Sequence, residues 1–80
     1  MRRISNKARR KQIGYLADRL DELRREVDNL RDEEQDYYDE LPETLQGGEE
    51  GGCAEEAVQF LEEAGGQLSQ AIDQLNEAGG

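Results

Sequence analysis

The sequence predicts an all-α protein: a two-helix antiparallel hairpin of coiled-coil type that self-associates into a helical bundle. Three observations carry that expectation. A leucine-rich heptad runs from Ile13 to Leu30, a second set of sevens built on Ala and Leu runs from Ala57 to Ala78, and a Pro/Gly-rich stretch separates them. Eighty residues make a single helical domain, 1–80, with a modest core, and chains of this size draw stability from a disulfide, a metal or a partner subunit. One cysteine, Cys53, and no histidine exclude an internal disulfide and remove the commonest metal ligand, which leaves a partner.

The first helix is expected over residues 6–41. Ile13, Leu16, Leu20, Leu23, Val27 and Leu30 alternate spacings of three and four, placing Ile13, Leu20 and Val27 at heptad position a and Leu16, Leu23 and Leu30 at d. In the same register Glu34 falls at a, Tyr37 at d and Leu41 at a. Pairs such as Asp21–Arg25 at i,i+4 add a few tenths of a kcal/mol each. Ser5 is the expected N-cap, and Pro42 ends the helix by pushing Leu41 out of the α region. Residues 1–12 form a basic N-terminal arm at its start.

Residues 42–53 read as a glycine-rich connector, in which Pro42 to Leu45 suits one helical turn. Both Gly-Gly pairs, Gly47-Gly48 and Gly51-Gly52, are expected outside helix because each glycine costs about 1 kcal/mol in a helix interior. The second helix is expected over 54–78, with Glu55 and Glu56 at the positive end of its dipole. Three sevens start at Ala57, Ala64 and Ala71, and each carries Leu fifth: Leu61, Leu68 and Leu75. Small Ala allows close approach and Leu fills the space, so these leucines join the first-helix residues as the oligomer seam. Gly65-Gly66 interrupts this helix at a cost of roughly 2 kcal/mol against alanine, so tertiary packing holds it there or it is a hinge. Helices of about 35 and 25 residues measure roughly 50 and 37 Å, so a folded-back second helix leaves the basic end of the first uncovered.

Charge divides the chain. Residues 1–31 hold all ten Lys and Arg against five acids, whereas residues 32–80 hold fifteen acids and no base. Hydrophobic residues make up only 34% and charged ones 38%, a composition near that of disordered chains, and it is the heptad placement of the apolar residues that argues for folding. No apolar run approaches the ~20 residues that span a bilayer, and the basic arm lacks an apolar face, so a membrane is not an expected partner. The lone cysteine and the lack of a leader-like segment fit a reducing cytoplasm.

No nucleophile–base pair, phosphate loop or metal-ligand spacing is present, so the chain is expected to be non-enzymatic and to carry no cofactor or metal. Cys53, with no histidine to activate it, reads as a small cap residue. Two patches stand out. The acidic centre offers Glu33, Asp36, Tyr37, Tyr38, Asp39 and Glu40 as a partner-binding surface, with the tyrosines as anchors; the competing reading is a solvated face where Glu34 sets the seam register. The basic arm, with Lys7, Arg9, Arg10 and Lys11 near Tyr15, offers contacts to phosphate. Nucleic acid is disfavoured, because no aromatic residue is interleaved and the rest of the chain is strongly acidic; pairing of the arm with the acidic half of its own or a sister chain is the simpler account.

The stretch from Asp32 to Gly47 resembles a signature of short acidic coiled-coil proteins of bacteriophages and bacterial mobile elements, as does the plan of basic start, leucine-rich helix, Ala54-Glu55-Glu56-Ala57 and repeated sevens. Gly65-Gly66 departs from that plan. The resemblance implies a setting, an accessory protein in a bacterial host cytoplasm, and carries no activity with it. The leading expectation is binding to a host defence or regulatory protein through the acidic helical surface. One alternative is an oligomeric sponge for a small phosphate-bearing nucleotide, held by the basic arms. The other is a coiled-coil scaffold.

Overall fold

The computed structural model describes the backbone of residues 2–80 and side chains from Lys7 onward. The chain is all-helical: α1 covers Arg2–Glu40, α2 is a single turn at Glu43–Gln46, and α3 covers Glu49–Gly79. Since α1 begins at Arg2, Ser5 lies inside it and is not its cap; the side chains of Arg2, Arg3 and Ser5 are outside the described residues. Arg31 of α1 meets Glu62 of α3, Val27 and Asp28 face Gly65, and Ile13 faces Gly79, so α3 runs back along α1. The result is a rod of 66 × 14 × 13 Å.

The turn between the long helices is tighter than a connector over 42–53. Pro42, at φ −58° and ψ 149°, stops α1 and opens α2, and its carbonyl accepts from the amides of both Leu45 and Gln46. Gln46 Nε2 donates to the Tyr38 carbonyl at 3.0 Å, satisfying one of the orphan acceptors at the end of α1. Only Gly47-Gly48 breaks the helix. Gly51-Gly52 lies in the first turns of α3, against the expectation that both pairs stand outside helix, and the reason is contact: a Cβ at Gly51 would collide with the Gln46 carbonyl. The close crossing of α2 over the start of α3 requires glycine there, and this packing offsets its poor helix propensity. Gly65-Gly66 is likewise continuous helix, with Gly65 buried against α1.

Packing between α1 and α3 uses one stripe of each helix. On α3 the inward row is Gly51, Val58, Gly65, Ile72 and Gly79, a seven-residue repeat alternating glycine with β-branched residues, with Ala54 beside it. A Cβ on Gly65 would lie 3.1 Å from Asp28 Oδ1, and one on Gly79 would lie 3.3 Å from Ile13 Cγ2. These glycines admit the facing side chains of α1. On α1 the half-buried residues include Ile13, Leu20, Val27, Arg31 and Tyr38, with Ala17 fully buried among them. The buried apolar residues are Ala17, Ala54 and Val58, none of them large. Along α1, Arg24 bridges Asp21 and Asp28, and its hydrogen bond, helped by the Arg25 charge, holds the Asp21 carboxyl below the ordinary 3.8.

The heptad seam therefore splits. Its a residues turn toward α3, but its d residues stay open: Leu16 is 43%, Leu23 48% and Leu30 53% exposed. A single neighbouring helix covers one stripe, and two heptad rows are wider than that. On α3, Leu61, Leu68 and Leu75 are half-buried at the edge of the contact, while Phe60 is 63% exposed. No helix among the described residues is long and apolar enough to cross a membrane.

Candidate functional site: the acidic end of the rod

The turn end collects the acidic half of the sequence. Residues 32–56 hold eleven carboxylates and no base, contributed by the last turns of α1, by α2 and by the first turns of α3. Among the described residues, Glu33, Asp36, Asp39 and Glu40 form no ion pair; Asp39 accepts one hydrogen bond, from Gln35 Nε2 at 3.0 Å. The last turn of α1 contains no basic residue, so Asp39 and Glu40 sit uncompensated at the negative end of the helix dipole. No group of three carboxylates or thiols among the described residues is placed to hold a metal ion.

Tyr37 and Tyr38, adjacent on a helix and about 100° apart around it, face opposite sides of the rod. Tyr37 is about half exposed and shares an open groove of about 540 Å³ with Glu34, Glu49, Glu50, Cys53, Ala54 and Ala57. Its hydroxyl donates to Glu50 Oε2 at 3.4 Å, and the Glu50 charge, with partial burial and the Glu34 charge, raises its pKa above 10.0. Tyr38 is half-buried on the other side, in a groove of about 530 Å³ that includes Glu55, Glu56, Gln59 and Glu62. Glu62 of that groove is held by Arg31, whose Nε and Nη2 both donate to Glu62 Oε2, at 3.0 and 2.7 Å. Of the partner-surface residues named from sequence, Glu33, Asp36, Tyr37, Asp39 and Glu40 are exposed and Tyr38 is half-buried. Glu55, Glu56 and Glu62 were missed; they lie in α3 and join Tyr38 only through the fold.

The basic patch lies at the far end. Lys7, Arg9, Arg10 and Lys11 are exposed, and none of them is in an ion pair among the described residues. Among the described residues this arm forms no ion pair with the acidic half of its own chain, and the acidic centre lies at the other end of the rod. Arg9 and Arg10 border a dent of about 140 Å³ with Ile13 and Ala78, smaller than the ~300 Å³ at which small-molecule pockets begin. Tyr15 is exposed and carries the Arg19 guanidinium over its ring at 5.7 Å. Among the described residues no nucleotide-sized pocket forms there.

No family model, curated protein or solved structure matches this chain.

Proposed function

We propose that this chain is a non-enzymatic accessory protein of a phage or mobile element. In this reading it works in a bacterial host cytoplasm by occupying a basic surface on a host defence or regulatory protein. The observation that supports it is the uncompensated charge at the turn end. Carboxylates at a helix C-terminus repel one another and the dipole, and among the described residues Asp39 and Glu40 meet no cation, the Gln35 amide being the one polar contact. A positively charged partner relieves that repulsion on binding. The half-buried Tyr38 ring, set among Glu55, Glu56 and Glu62, supplies an anchor beside the charge.

The test is affinity capture of the full chain from a bacterial host lysate, followed by association kinetics with the captured protein across a salt series. Electrostatic steering gives an on-rate that falls at least about tenfold from low to high salt. Asp36→Asn combined with Asp39→Asn lowers the on-rate and leaves the helical content unchanged. An on-rate independent of salt, or a partner lacking a basic surface, overturns the reading.

A further inference from the structure

The open d row of α1 is part of a larger apolar face. Tyr37, which continues the row from Leu16, Leu23 and Leu30, shares its groove with Cys53 and Ala57 of α3. Ala57 begins the Ala/Leu sevens, so that edge of α3, with Phe60, Leu61, Ala64 and Leu68, lies on the same side of the rod as the α1 leucines. From Leu16 to Tyr37 the face is about 32 Å long at 1.5 Å per residue. We propose that a second copy of this chain covers this face, the two rods lying side by side with their long axes antiparallel.

Three observations commit the face to that occupant. The first is area. A compact monomer of 9.1 kDa exposes about 4,900 Å², whereas this chain exposes 6365 Å² and has a radius of gyration of 18.4 Å, against about 12 Å for a compact domain of its length. The excess, about 1,500 Å² per chain, is more than the ~800 Å² each partner contributes to a standard stable interface. The second is that no large side chain is fully buried among the described residues, while Leu16, Leu23 and Leu30 stand on the open face.

The third is charge, and it fixes the orientation. Parallel rods would stack the eleven carboxylates of residues 32–56 against eleven more. Antiparallel rods set the Lys7 to Lys11 cluster of one copy beside Glu40 and Glu43 of the other, giving those cations the partners they lack among the described residues of their own chain. With Leu16 opposite the partner's Tyr37, Leu23 meets the partner's Leu30, and the contact is two-fold and self-complementary. Tyr37 is then covered, while the Tyr38 groove on the opposite side stays open. The inference needs only this chain; the pair compensates Glu40 and Glu43 and leaves the Tyr38 groove, with Glu55, Glu56 and Glu62, as the acidic surface open to a basic host partner.

Sedimentation equilibrium of the purified full chain tests it, with mild oxidation of the same sample to probe orientation. The expected mass is twice 9.1 kDa, and Leu23→Glu or Leu30→Glu shifts the population to the single-chain mass. In the antiparallel pair the two Cys53 thiols stand about 40 Å apart along the axis, so oxidation yields no interchain disulfide. Lys7→Glu with Arg10→Glu weakens association at least about tenfold, and mixing with a Glu40→Lys, Glu43→Lys chain restores it as a heterodimer. A wild-type mass other than twofold, or an unchanged mass for Leu23→Glu, overturns the interface. Rapid Cys53–Cys53 disulfide formation overturns the orientation. If Leu23→Glu loses its helical circular dichroism, the wild-type mass and oxidation decide the matter.

Discussion

Three glycines of α3 in similar sequence settings have opposite requirements. Gly51 is held by the Gln46 carbonyl, and no side chain fits. Gly66 faces open space, with nothing within 4 Å of a Cβ, so its only effect is the loss of helix propensity. Gly66→Ala is therefore expected to raise stability by about 1 kcal/mol, and Gly51→Ala to lower it by more than that, both read from urea unfolding. Gly65 lies between them, since a Cβ would press only on the carboxylate end of Asp28. At Tyr37 the argument turns on pH. Glu50 raises the phenol pKa in the folded chain, so the folded form holds that proton more tightly than the unfolded form. Its contribution is present below 10.0 and is lost as pH climbs through the raised value. Glu50→Gln should shift the phenol titration back toward 10.0 in ultraviolet absorbance and flatten the alkaline loss of stability.

Among elements, α1 was the most legible, because its heptad and Pro42 report helix period and helix end directly. The start of α3 was not. Gly51-Gly52 reads as a breaker by propensity, and only the approach of α2 gives glycine a reason to be there. The inward row was also written in the sequence, as Gly51, Val58, Gly65, Ile72 and Gly79 at intervals of seven. It is as regular as the Ala/Leu sevens, but its residues are weak helix formers and do not announce a packed face. For the candidate site, the acidic composition was legible and the separation of Tyr37 from Tyr38 followed from helix geometry, while the contacts of Tyr37 with Glu50 and of Arg31 with Glu62 required the fold. Arg31–Glu62 is the one ion pair joining α1 to α3 among the described residues. A double-mutant cycle with Arg31→Ala and Glu62→Ala should give only a weak coupling, smaller at high salt, because both side chains remain partly solvated.

At the scale of the whole molecule, charge is distributed by end rather than by face. Asp39→Asn with Glu40→Gln should raise the midpoint of thermal unfolding slightly, by relieving the dipole and neighbour repulsion, while slowing association with a basic partner. Opposite movements in those two readouts distinguish a surface kept for binding from one that is merely soluble. The antiparallel course of α3 along α1 also orders the kinetics of folding. Arg31 and Glu62 are separated by 31 positions in the chain, whereas Ile13 and Gly79 stand at its two extremes. Closing the turn first makes each later contact a short extension of the one before, and loop entropy is spent mainly once. The long helices then zip from Pro42 outward, and opening runs in reverse. Amide hydrogens near Tyr38 and Val58 should exchange most slowly, with protection declining steadily toward Lys11 and Ala78.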